Sequence, residues 1–508
     1  MTLVLDLLKV QLLGEIQLSL SAEMSNSCPF EPVCAVMHSV TEPWMEDACS
    51  LVDAYRAGIL SPTEALEGSL AAIADSKLNA VCFVDEEQAR EAAASADVNL
   101  PFGGVPIGVK ELDPVKGWPQ TEASLVFKDR IAEYDGTMTA RLRQTGAVLV
   151  GQTTASEFGG INCTYTRLHG ATSNPYDLER TPGGSSGGSA ASVSGGLLPL
   201  CTGGDGGGSI RIPAGFTGLF GLKSTFGRIP KGPHTEIEPL TAVLGCLSRS
   251  VRDTARWFDA CNGADEYDPF SLPRVEGWEA GLGQQDIRGK RVAVSVDLGA
   301  AIVASAVRDK VDEAADLLIK DAGLERVDVP FALPRGGLEW ALAGTASLLV
   351  GLGDLYPACE SELTPEIMLA ANIATNHYNV DTAKNIEAFR RQIIVQVAQI
   401  FEQVDFIICA TNPDVAFGAQ GPMPTTIDGV DLIAEHGFEA AVGNNGALTI
   451  PANTTGHPAV AVPIGMVDGL PVSMQIIGRR HAEQLLLDLA QVVERERPWP
   501  LVAPGAPV

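Results

Sequence analysis

Ser185 and Ser209 both lie in glycine-rich backbone, 24 residues apart. The first is in Gly183-Gly184-Ser185-Ser186-Gly187-Gly188, the second in Gly206-Gly207-Gly208-Ser209-Ile210-Arg211. Glycines flanking a serine remove Cβ atoms, so the chain there can take unusual dihedrals and aim bare N–H groups at a ligand. A developing oxyanion needs such donors. A hydroxyl also needs a base to become a nucleophile. The chain has seven histidines, yet Ser209 does not stand in a Gly-x-Ser-x-Gly elbow; Gly207-Gly208-Ser209-Ile210-Arg211 carries isoleucine and arginine where that pattern ends. A histidine base is therefore unsupported, although triad partners are often distant in sequence.

A neutral lysine is another way to activate serine. Lys110 ends the apolar run Val105-Pro106-Ile107-Gly108-Val109-Lys110. Burial disfavours its ammonium form, and bringing a lysine down to about 7–8 takes roughly 4 kcal/mol. The residues alone also allow a strand-end lysine that simply reaches water. A phosphate loop fits poorly, because Gly221-Leu222-Lys223-Ser224 has leucine where a P-loop has glycine.

The elements that must position these groups read as an α/β chain. Between the two serines the pattern is loop, short helix, strand and second loop. Ser61-Pro62-Thr63-Glu64 carries an N-cap, a proline at N1 and a capping-box glutamate. Strands are expected at 104–112, 147–153, 291–297, 405–410 and 459–465. Another has Val472, Met474 and Ile476 alternating with Ser473 and Gln475. Helices are expected at 137–145 and 304–322, the latter stopped by Gly323, and a closing helix carries Leu485, Leu486, Leu489 and Val493. A long helical block at 337–402 interrupts the alternation. Strands alternating with helices imply one large domain, a sheet with helices on both faces, over 46–508. Residues 1–45 form an extension of uncertain order.

At these positions the chain resembles the amidase signature family of serine hydrolases. The resemblance covers roughly 46–500. It rests on Gly104-Val105-Pro106-Ile107-Gly108-Val109-Lys110, on Arg180 through Ala191, on Asp205 through Ala214, and on Gly221 through Arg228. Pro451-Ala452-Asn453 and Gly469 through Gly478-Arg479 extend it. It implies a single αβα domain with a central twisted mixed sheet, and a Ser–cis-Ser–Lys triad. Ser209 is then the nucleophile, Ser185 the bridging serine after a cis bond from Gly184, and Lys110 the neutral base. Backbone N–H groups of Gly206, Gly207, Gly208 and Ser209 would form the oxyanion hole. Ser186, Asp205 and Arg211 would support the loop. No cofactor and no metal is implied.

The expected reaction is hydrolysis of the C–N bond of a carboxylic amide through an acyl-enzyme, with anilides, carbamates and esters as further substrates. Gly206 stands where many members carry a larger residue, which points toward the aryl acylamidase and 6-aminohexanoate cyclic-dimer hydrolase type, acting on bulky amides. Two other readings remain: the glutaminase subunit of a tRNA-dependent amidotransferase, and a catalytically inactive binding protein on the same fold. Cys163, Tyr165 and Trp340 are candidate substrate contacts; Leu348, Leu349, Leu352 and Tyr356 join them as candidates in the 330–402 channel segment.

Composition bounds the partners. The net charge of −28 argues against nucleic acid and anionic membranes, and 45% hydrophobic with 19% charged residues is ordinary for a globular chain. The ten cysteines form no Cys-x-x-Cys, so free thiols and a reducing, cytoplasmic compartment are expected. Cys82 and Cys409, in apolar runs, read as buried small hydrophobes. The Leu-rich stretch before residue 20 lacks a basic start and carries Asp6, so it is a poor signal peptide and too interrupted to span a bilayer. It is a candidate contact between protomers of a homo-oligomer.

Overall fold

The computed structural model describes residues 43–234 and 240–508. The expectation for 1–45 falls almost entirely outside them. The fold is built on one mixed sheet of 11 strands. In chain order these are β1 Val81–Val84, β2 Pro106–Lys110, β3 Val148–Thr153, β4 Leu200–Asp205, β5 Phe220–Lys223 and β6 Val243–Ser248. β7 Arg291–Val294, β8 Glu325–Arg326, β9 Phe406–Ala410, β10 Ala459–Val467 and β11 Leu470–Gly478 complete it. Across the sheet they run β1-β3-β2-β4-β6-β5-β10-β11-β9-β7-β8. β3, β2 and β4 are parallel neighbours, as are β9, β7 and β8, and the pairs between these groups are antiparallel.

Alternation along β3 shows why both faces are covered. Leu149 packs into one apolar cluster with Met138, Leu142, Phe258 and Val311, whereas Val148 and Val150 enter another with Leu66, Leu70, Ala190 and Val193. Successive side chains of a strand point to opposite faces, and helices supply the other members of each cluster. The expected α/β architecture stands.

Most expected elements are present with trimmed ends. Pro62–Asp75 begins with the full capping box, the Ser61 N–H donating to Glu64 at 2.8 Å. Ser305–Ala322 stops at Gly323, whose φ of +64° a side chain would strain. Its core face buries Val307, Val311, Ala315 and Leu318. β11 differs more: all nine of its residues are buried. Its polar alternates face the protein interior, where Gln475 meets Arg211. The helical block resolves into Gly337–Leu352, Pro365–His377 and Val380–Phe401. By length and composition alone, Gly337–Leu355 is apolar enough to cross a bilayer, and little of it is buried.

Candidate active site

The sheet delivers hydroxyl- and amine-bearing residues to one place. Lys110 is the last residue of β2, whose parallel neighbours are β3 and β4. The Thr202 hydroxyl of β4 accepts the Lys110 backbone N–H at 2.8 Å and donates to Asp113 at 2.7 Å. The Lys110 side chain is buried, with Nζ 2.8 Å from Ser185 Oγ and 2.9 Å from Ser186 Oγ. It does not reach water as a strand-end lysine would. Burial pushes its pKa from 10.5 down to about 8, although Asp113, Asp205, Glu111 and Glu122 pull the other way.

Ser185 follows a cis peptide bond from Gly184. The Ser185 carbonyl accepts from the Ser156 N–H at 3.2 Å. A Cβ on Gly184 would lie 2.6 Å from Ser156 Oγ and 2.7 Å from the Cys163 nitrogen, so only glycine fits there. Ser186 begins the helix Gly187–Ser194 and joins the two serine loops: its N–H donates to the Ser209 carbonyl at 3.3 Å. Its role exceeds loop support, since its hydroxyl is a direct partner of the lysine.

Ser209 is partly exposed, and its hydroxyl bonds to no other described residue. The loop before it is held from behind. The Arg211 guanidinium grips the Asp205 carboxylate with two bonds of 2.9 Å, and both side chains are fully buried. Asn453 donates to the same carboxylate at 2.9 Å, and Arg211 donates to the Thr449 carbonyl at 2.9 Å. Burial alone would raise the Asp205 carboxyl, but the Arg211 charge and these hydrogen bonds hold it far below the usual carboxylate range. Asp205 and Arg211 thus tie this loop to one another, to Asn453 and to Thr449.

The expected oxyanion donors divide. The Gly208 N–H is already donated to Asp205 at 2.8 Å, so it belongs to the loop's scaffold and not to the hole. The N–H groups of Gly206, Gly207 and Ser209 are donated to no described residue. Gly208 has a φ of +133°, and a Cβ there would strike Thr449 Oγ1 at 2.5 Å; the sharp bend leaves its neighbours' donors free.

Trp340, from the helix Gly337–Leu352, closes one side. Its Nε1 donates to the Gly206 carbonyl at 2.8 Å, and its ring lies 2.5 Å from where a Gly207 Cβ would be. A Cβ on Gly206 would meet only Ala242, at 3.6 Å. Cys163 and Tyr165 belong to an apolar cluster with Ile212, Phe216 and Phe417, Cys163 buried and its thiol pushed up to about 12 by burial. Leu348, Leu349, Leu352 and Tyr356 pack together with Phe127 and Ile367 in a separate cluster.

Sequence reasoning missed Thr202, Ser156, Thr449 and Gln475. They position the site through hydrogen bonds, most of them to residues far along the chain. The small polar residue inside a strand otherwise buried, Thr202 in β4 or Gln475 in β11, is the signal that marks such positions.

A buried amine whose pKa is pushed down to about 8, a hydroxyl beside it, a second partly exposed serine and three undonated N–H groups form the parts of an acyl-transfer site. Comparison with known proteins agrees with that chemistry. The family model described as Amidase matches residues 64–487. A glutamyl-tRNA(Gln) amidotransferase chain of Roseiflexus sp. (strain RS-1) is 33% identical over 478 residues, covering 88% of this chain and 94% of that protein. A bacterial aryl acylamidase structure of the amidase signature enzymes superposes with a TM-score of 0.81 at 27% identity, covering 90% of this chain and 97% of the other. The corresponding glutamyl-tRNA(Gln) amidotransferase chain of Thermotoga maritima superposes with a TM-score of 0.71 at the same 27% identity, covering 87% and 94%.

Proposed function

This chain belongs to the Amidase family of C–N hydrolases, and we propose that it is a stand-alone amidase for bulky, uncharged carboxylic amides. The observation that carries the reading is the Lys110 amine, 2.8 Å from the hydroxyl of a serine after a cis bond. The neutral amine takes the Ser185 proton as Ser185 takes that of Ser209. Ser209 Oγ then attacks the carbonyl carbon, and the oxyanion settles among the N–H groups of Gly206, Gly207 and Ser209. Each effective donor is worth about 3–4 kcal/mol in the transition state. The proton returns along the same relay to the leaving amine. Water hydrolyses the acyl-enzyme by the same route.

The two glycines that keep their N–H groups free support bulky over small polar substrates: Gly207 faces Trp340 and Gly206 faces Ala242, and neither neighbour carries a charge. An α-amino acid amide such as glutamine needs partners for its ammonium and carboxylate. The shape likeness favours the aryl acylamidase type. The sequence likeness to amidotransferase chains favours a second reading, a glutaminase that works with partner subunits.

One panel separates them. The purified chain is assayed for released amine with alkyl amides, anilides, carbamates and glutamine. Anilide turnover without partners is expected, and labelling by a fluorophosphonate should vanish in Ser209→Ala. Turnover confined to glutamine, and gained only with partner subunits, would move the assignment to the second reading. Labelling that persists in Ser209→Ala would sink both.

A further inference from the structure

Cys82 is not the small apolar core residue that its sequence neighbours suggest. It sits on β1 with its Sγ 2.8 Å from Glu111 Oε2. Glu111 follows β2 directly and is almost wholly buried. From the opposite side, the hairpin of Tyr165–Thr166 and Gly170–Ala171 brings His169, whose Nε2 lies 3.1 Å from the same carboxylate oxygen. The three donor atoms lie within 4.8 Å of one another.

We propose that Cys82, Glu111 and His169 form a binding site for one divalent cation of the zinc class. A thiol sulfur, an imidazole nitrogen and a carboxylate oxygen are the donor set of tetrahedral zinc, and sulfur with imidazole disfavours magnesium and calcium. Tetrahedral bonds of about 2.0–2.3 Å set these donors about 3.3–3.5 Å apart. The Nε2–Oε2 separation of 3.1 Å lies a few tenths inside that range, and the Sγ–Oε2 separation of 2.8 Å lies about 0.7 Å inside it. An outward turn of the thiol by that amount admits the ion.

The imidazole supplies a second, independent observation. His169 Nε2 is sealed from solvent yet has no hydrogen-bond partner. It approaches the carboxylate without the alignment of a hydrogen bond, as a nitrogen and an oxygen do when both face a shared ion. Outer contacts hold the donors in place, as metal sites require. Thr121 Oγ1 donates to Glu111 Oε1 at 3.2 Å, and Asn79 donates to the His169 carbonyl at 2.8 Å. The Cys82 thiol also donates to the Gln152 carbonyl at 3.4 Å. The His169 side chain is 20% exposed, which gives an entry path. Binding exchanges the thiol proton for the cation, and the proton leaves to the buffer. None of this depends on the amidase reading, because the ion touches neither serine.

The test uses the full chain, stripped with a chelator and titrated with Co²⁺. One equivalent should bind, with a near-ultraviolet sulfur-to-cobalt charge-transfer band and tetrahedral visible absorption, and Zn²⁺ should displace it. Cys82→Ser should remove the charge-transfer band. His169→Gln, on a partly exposed hairpin, should weaken Co²⁺ binding about tenfold or more. Circular dichroism melts of the metal-free variants verify folding. Failure of the wild type to take up one equivalent, or an unchanged band and affinity in folded His169→Gln and Cys82→Ser, overturns the site.

Discussion

The rate should follow the ionisation of Lys110. The fall from 10.5 to about 8 corresponds to about 3.4 kcal/mol, at about 1.36 kcal/mol per pH unit. With that value about a tenth of the molecules carry the neutral amine at pH 7, against about one in three thousand for an ordinary lysine. The protonated form has no lone pair to accept a proton from Ser185. We therefore expect kcat/KM for an uncharged amide to climb about tenfold per pH unit below about 8 and to level above it. Lys110→Met should lower kcat/KM by about 10²–10⁴-fold and flatten the profile.

The same ionisation has a stability signature with a fixed sign. The folded value lies below the unfolded one, so between about 8 and 10.5 the unfolded chain binds the extra proton. The lysine's cost to the fold is present in full below pH 8 and fades as pH rises. The stability gap between Lys110→Met and wild type should shift in favour of wild type with rising pH. Initial rates of amine release at constant ionic strength, paired with urea unfolding at each pH, measure both. An alkaline limb that survives in Lys110→Met with the same midpoint would falsify the assignment of Lys110 as base.

Two further perturbations probe the loop. Gly207→Ala would push a methyl to 2.5 Å from the Trp340 ring, whereas Gly206→Ala meets Ala242 at an ordinary 3.6 Å; kcat should fall much further in the first, and Trp340→Ala added to Gly207→Ala should recover part of it in the double-mutant cycle. Arg211→Met leaves the Asp205 carboxylate buried without its main partner, which should cost about 3–5 kcal/mol in chemical denaturation; a loss below about 1 kcal/mol would show that Asn453 and the loop N–H groups suffice.

The sequence exposes the site better than its surroundings, for a physical reason. Lys110, Ser185 and Ser209 stand in motifs whose glycines are fixed by close approach: at 184 the Ser156 hydroxyl and the Cys163 backbone leave no room for a Cβ. Such constraints are local and leave a local trace. Helix ends are also readable, because the Ser61 box and the Gly323 stop act within a few residues. Partners set by tertiary contact are not. Gln475 reads as a residue of an alternating strand, and only the packing of β11 between β10 and β9 turns it inward to Arg211. Gly208 reads as an oxyanion donor until the loop's bend gives its N–H to Asp205. Cys82, Glu111 and His169 come from three separate elements, so no spacing rule could join them.

A depressed lysine pKa does not by itself mark a base, and this fold holds the control. Lys223, on β5, is as deeply buried as Lys110; burial and then the Arg211 charge push its pKa down to about 7. By ionisation alone it is the better candidate. Its Nζ, however, donates to the Ser224 carbonyl at 2.7 Å and the His457 carbonyl at 2.8 Å. Carbonyl oxygens have no proton to give, so a neutral Lys223 would hold a lone pair with nothing to take up. Lys110 faces two hydroxyls instead, one of them beside the loop that carries Ser209. What would separate a base from a buried strut is therefore the proton within reach of the amine. That difference predicts that Lys223→Met, where it folds, keeps the pH profile that Lys110→Met loses.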